Sequence, residues 1–96
     1  MNLTQKQKMI INIIWNELRY RLINFAITTR PRNETIANGL HIIKNNMSKS
    51  FSNYTEHEKN MALEFITFVI DTAIFTTSIT KTIQKVEEKY KFLQKQ

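Results

Sequence analysis

A single glycine, Gly39, and a single proline, Pro31, stand in a chain of 96 residues, and this scarcity constrains the fold more than any motif does. Tight hairpins, phosphate-cradling loops and winged sheets all call on glycine for positive φ. A chain with one glycine has almost nowhere to turn sharply. Long helices with few breaks are the expected outcome, provided that apolar residues return with a helical period.

They do. Ile11, Ile14, Trp15, Leu18, Leu22 and Phe25 recur at i, i+3, i+4, i+7, i+11 and i+14, the spacing that lines one face of a 3.6-residue helix. Thr4 and Gln7 have the form of a capping box, in which each side chain satisfies a backbone donor beside the other. Pro31 disfavours helical φ and ψ in the residue before it. A first helix is therefore predicted over residues 4–29.

A shorter helix is predicted over 34–47, with Ile36, Leu40, Ile43 and Met47 on one face. Gly39 weakens it by about 1 kcal/mol relative to alanine. The polar run over 45–54 reads as a loop with a helical turn around Phe51. Thr55 and Glu58 repeat the capping-box form. Ala62, Phe65, Val69, Ala73, Thr76, Ile79, Ile83, Val86, Tyr90 and Leu93 follow at three- and four-residue steps, which predicts helix from 56 to about 94. Hydroxyl residues crowd Thr76 to Thr82 and compete for their own backbone. One long helix bent near Thr76 to Thr80 is favoured over two. The expected architecture is all-α, one domain over residues 1–96: a small antiparallel three- or four-helix bundle with a long, bent C-terminal helix.

Hydrophobic residues make up 42% and charged residues 23% of the chain, an ordinary globular balance. There is no cysteine, which excludes a disulfide framework, a thiolate zinc site and a cysteine nucleophile, and suits a reducing cytosol. The longest apolar stretches are broken by Glu17, Arg19 and Arg21 and by Asp71, so no membrane span is expected. Asn-x-Ser/Thr triplets begin at Asn2, Asn33, Asn46 and Asn53; no secretion signal precedes them, and they read as chance. A cytoplasmic protein is expected. The heavy use of Ile, Asn, Lys and Phe matches an AT-rich coding source such as a phage or mobile element.

Two helices carry more apolar surface than one core requires. Met9, Ile13, Tyr20 and Ile27 lie opposite the main stripe of the first helix, and Leu63, Ile70 and Ile74 oppose Phe65, Val69 and Thr72 in the third. A helix apolar on two faces is either sandwiched within its own domain or shares one face with another chain. Sharing, including self-association as a homodimer, carries equal weight with coverage by the short helix and C-terminal segment.

The formal net charge is +6. Residues 1–53 hold eight Lys and Arg against Glu17 and Glu34, whereas residues 54–96 hold six against six. Lys8, Arg19 and Arg30 share a narrow arc of the first helical wheel beside Asn12 and Asn16, and Arg32, Lys44 and Lys49 extend it. Such a patch attracts an acidic protein surface or phosphates. Its plainest reading is a solvated face partly paired with Glu64 and Asp71.

Catalytic candidates are few. Glu64 and Asp71 share a helical face, where ion pairs to Arg19, Arg21 or Arg30 account for them without a metal. His57 and His41 each lack a second histidine at ligand spacing and read as surface residues. Ser48, Ser50 and Ser52 have no elbow, base or oxyanion loop. Trp15, Tyr20, Phe65 and Phe68 have base-stacking chemistry, but their spacing assigns most of them to a core.

No cofactor or metal is called for, and no enzymatic activity is expected. The leading expectation is a small non-enzymatic binding protein, a regulator, adaptor or inhibitor working through protein contacts on the second apolar face and the basic patch. The alternative is a nucleic-acid-binding regulator with Arg19, Arg30, Arg32, Lys44 and Lys49 on phosphates. A helix-turn-helix reader fits poorly, because Gly39 is misplaced for its turn and Ile42 and Ile43 burden the recognition helix.

Overall fold

The computed structural model describes residues 3–28 and 33–95, with the side chains of 26–28, 33–37, 94 and 95 outside the description. Among the described residues there are four α-helices and no strand: α1 (Gln5–Thr28), α2 (Asn33–Ser48), α3 (Glu56–Thr76) and α4 (Ile79–Lys89). A 3-10 turn, Lys49–Phe51, continues α2, and another, Lys91–Lys95, follows α4. The all-α bundle expected from the periodicity is the fold.

Both predicted capping boxes form. The Thr4 backbone N–H donates to Gln7 Oε1 at 2.8 Å and the Gln7 N–H to Thr4 Oγ1 at 3.1 Å. Thr55 and Glu58 repeat the exchange at 3.0 and 3.2 Å, fixing the start of α3. The Lys6 ammonium lies 3.0 Å from Glu58 Oε2, tying the first turn of α1 to the first turn of α3. The Glu58 carboxyl is held below its ordinary range, first by the Thr55 backbone N–H and then by Lys6.

α3 packs against all three other helices. Ala62, Phe65, Ile66, Val69, Ile70 and Ala73 are buried along it, and Met61, Leu63, Phe68 and Ile74 pack at its margins. Both apolar faces of α3 are therefore covered by the chain itself. Ile10, Ile11, Ile14, Trp15, Leu18 and Leu22 come in from α1, Leu40 and Met47 from α2, and Val86 from α4. Trp15 meets Phe65 edge-on at 6.1 Å, and Phe65 meets Tyr90 edge-on at 5.0 Å, geometries favoured by the ring quadrupoles. The indole N–H of Trp15 donates to Glu87 Oε2 at 3.4 Å, so the buried ring keeps a polar partner.

The predicted C-terminal helix is two helices. α3 ends where Thr77 adopts a left-handed conformation, φ 53° and ψ 23°, and its N–H bonds to the Ala73 carbonyl. Ser78 then caps α4 by accepting from the Lys81 N–H. Three hydroxyl residues lock the corner. The Thr82 hydroxyl donates to the Ser78 carbonyl at 2.6 Å, lies 2.9 Å from the Thr76 hydroxyl, and the Ser78 N–H reaches Thr76 Oγ1 at 3.3 Å. Thr82 is fully buried, so this exchange stands in for solvent. Competition of hydroxyls for the backbone was the right cause, and here it breaks the helix outright instead of bending it.

α2 also differs from expectation by running on through Ser48, with the predicted turn at Phe51 present as its 3-10 continuation. Gly39 has a use beyond weakening this helix. A Cβ on Gly39 would collide with the Phe25 ring, lying only 2.7 Å from Cζ. The missing side chain is what lets α1 and α2 approach at that level.

Replacing Thr77 by glycine removes the cost of a branched residue at positive φ and should raise stability by about 1 kcal/mol, whereas Thr82→Val should lower it by a similar amount. Thermal denaturation followed by circular dichroism measures both. Gly39→Ala should destabilise the protein despite alanine's better helix propensity. In a Phe25→Ala background the same change should stabilise it by up to about 1 kcal/mol, and that reversal in a double-mutant cycle is the measurement.

Candidate functional site

The outer side of α1 is the part of the molecule that its own core leaves unused. Met9 is 61% exposed, Ile13 59% and Tyr20 68%, and all three point away from the buried stripe of Ile11, Ile14, Trp15, Leu18 and Leu22. Asn16 is exposed between them, and Ile23, 36% exposed, extends the row. Met9, Ile13, Asn16, Tyr20 and Ile23 thus return at alternating steps of four and three, the period of a coiled-coil seam. The sequence carries the same alternation on to Ile27, whose side chain is outside the described residues. Sequence reasoning found Met9, Ile13, Tyr20 and Ile27, assigned Asn16 to the margin of the basic arc and missed Ile23; the four-three alternation was the signal that joins both to the row.

Each margin of this row is built differently. On the side toward α2, Arg21 donates to Glu17 Oε1 from Nη2 at 2.8 Å and from Nε at 3.2 Å. Glu17, Tyr20, Arg21, Asn24 and Phe25 share with Ile43 of α2 a groove of about 530 Å³. On the side toward α4, Lys8 lies 5.7 Å from the centroid of the Phe92 ring, and the helical wheel puts Arg19 on the flank of Lys8 and Trp15.

The third-helix residues expected on a free face are not free. Ile70 is 1% exposed and part of the core, and Leu63 and Ile74 are half-buried against it. The reason is that α3, not α1, occupies the centre. Elsewhere among the described residues, large apolar side chains are exposed only at Phe75, 84%, and Ile42, 60%. Phe75 lines a groove of about 590 Å³ between α3 and α4 with Phe68, Asp71, Lys85 and Lys89.

The residues of the expected basic patch come from different elements. Lys8 and Arg19 lie on the α4 flank of α1, while Lys44, half-buried, and Lys49, exposed, belong to α2 and the turn after it. Arg30 and Arg32 lie outside the described residues. Positive charge gathers instead at the end of the molecule where α1 begins. There Lys8 joins Lys89 and Lys91 around a cleft of about 280 Å³ that also contains Leu3, Tyr90 and Phe92. The Lys89 ammonium sits 4.0 Å above the Phe68 ring. Burial, and then the charge of Glu64, push the Tyr90 hydroxyl above its ordinary range.

The remaining candidates fall into place as parts of the scaffold. Arg21, expected to reach Glu64 or Asp71, pairs with Glu17 of its own helix. Both histidines are exposed. The Ser48 and Ser50 hydroxyls donate back to the Asn45 and Met47 carbonyls at 2.8 and 2.7 Å. Trp15 and Phe65 are core, Phe68 is half-buried, and Tyr20 alone of the four is exposed. Among the described residues no three His, Asp or Glu side chains gather to hold a metal ion, and no helix is long and apolar enough to cross a membrane. Compared with known proteins, the chain matches no family model, no curated protein and no solved structure.

Substitution separates the exposed face of α1 from the core. Ile13→Glu and Tyr20→Glu should each leave the unfolding free energy within about 0.5 kcal/mol of the parent, whereas Ile70→Ala should cost about 2–5 kcal/mol. Urea titrations of the three variants check the assignment.

Proposed function

We propose that this chain is a small protein-binding module without catalytic chemistry of its own, a regulator, adaptor or inhibitor that docks a partner on the outer face of α1. The observation that carries this reading is the row of Met9, Ile13 and Tyr20, each more than half exposed on one continuous helix face. Burying a large apolar side chain contributes roughly 1.5–3 kcal/mol, so three in a row are a substantial gain left unrealised by the chain's own fold. The helix beneath them is anchored along its inner side from Ile10 to Leu22, which makes the face rigid before any partner arrives and lowers the ordering cost of binding. Arg19 beside the row favours a partner with acidic residues at the matching margin and speeds encounter.

A photo-crosslinking amino acid at position 20, in the protein expressed in its native host, tests the proposal against the same probe at exposed Gln84. Discrete protein adducts from position 20 and none from position 84 are expected. Adducts that are no more frequent at 20 than at 84 would remove α1 as a docking face.

A further inference from the structure

We infer that the cleft between the start of α1 and the turn after α4 binds a compact, multiply charged phosphate anion, either free pyrophosphate or a small phosphate ester. The site is separate from the outer face of α1 and does not depend on that reading. Lys8, Lys89 and Lys91 surround a space of about 280 Å³, and no carboxylate lines it. The groove between α1 and α2 contains Glu17 with Arg21, and the groove between α3 and α4 contains Asp71 and Glu88 with Lys85 and Lys89. Only the lysine cleft of these three is of one sign. Glu64, whose charge reaches Tyr90, does not line it.

The lysines are placed by groups that leave their charge in force. The Lys8 ammonium lies 5.7 Å from the centroid of the Phe92 ring, and that of Lys89 lies 4.0 Å from Phe68 and 5.7 Å from Tyr90. A ring face attracts and orients an ammonium without cancelling it. Among the described residues Lys91 has neither a ring nor an acid as its partner. Lys89 is in the last turn of α4, where it answers the negative end of the helix dipole. Lys8 has the opposite setting, within the first four residues of α1, where the dipole is already positive. Its neighbour Lys6 has Glu58 to offset that placement; Lys8 has no acid. Lys8 and Lys91 are thus surplus positive charge against the apolar walls of Leu3 and Phe92, which focus its field.

Shape narrows the ligand. The charges gather about one cleft instead of running in a row, which suits a compact anion better than a polymer whose charges repeat along a line. The volume is just below the roughly 300–1,000 Å³ of pockets for drug-sized ligands, room for a pyrophosphate or a small ester.

Inorganic pyrophosphate, titrated at constant ionic strength into the 15N-labelled protein, tests this. Amide shifts should be largest at Lys8, Lys89, Lys91 and Phe92 and should saturate as one site, with a dissociation constant on the order of 1 mM or lower. Phenyl phosphate run beside it separates the two sources, since an ester seated on Leu3 and Phe92 binds tighter than the bare anion. Lys91→Gln should weaken binding about tenfold, the loss of one charge-assisted contact. Lys81→Gln removes the same charge from an exposed position on α4, about 12 Å from Lys89 along the helix axis and beyond the Debye length of about 10 Å at 0.1 M; it should change binding by less than about twofold. Without anion, Lys91→Gln should melt at or above the parent temperature, because it relieves crowding. Shifts that fail to saturate, or equal weakening by Lys91→Gln and Lys81→Gln, mark general attraction to a basic chain and overturn the proposal. So does tighter binding, at the same salt and with the same residues shifted, of a single-stranded oligonucleotide without terminal phosphates, which assigns the cleft to a nucleic-acid surface.

Discussion

Everything in this bundle depends on the burial of α3 on both sides. A helix of this length with Phe65, Ile66, Val69 and Ile70 on adjoining faces cannot satisfy itself against one neighbour. α1 and α2 close on it, α4 folds back over it, and the C-terminal turn adds Leu93 to the same cluster. Because α3 takes the centre, α1 must lie at the edge, and an edge helix has one side that its own chain does not cover. The candidate docking face follows from which helix is central.

The corner between α3 and α4 makes that arrangement possible. A single helix over 56–94 would carry Val86, Tyr90 and Leu93 away from the core. The turn at Thr77 and Ser78 returns them to it. The chain makes this reversal without glycine, accepting a branched residue at positive φ and offsetting it with hydroxyl-to-backbone bonds around buried Thr82. Gly39 meanwhile serves close approach between two helices instead of a turn, a role invisible to turn statistics.

The fold was legible in the sequence wherever the signal was local. Capping boxes at Thr4 and Thr55 and the periodic stripes of α1 and α3 depend on residues within a few positions of each other, and they form as read. What the sequence could not decide was competition between helices. Ile70 and Ile13 look alike on their own wheels; one is core and the other exposed because of which helix is surrounded. Lys8 is near Arg19 along the chain, but its cleft-mates Lys89 and Lys91 arrive only when the last turn folds over the start of α1.

That meeting of chain ends has a consequence for how the molecule responds to its medium. Lys8, Lys89 and Lys91 converge with no ion pair to any of them among the described residues, so folding assembles like charges that are far apart in the extended chain. Mobile counter-ions relieve such crowding within a Debye length of about 10 Å at 0.1 M ionic strength. At this end of the molecule added electrolyte therefore works in two directions, weakening the Lys6–Glu58 pair while relieving the crowding of Lys8, Lys89 and Lys91.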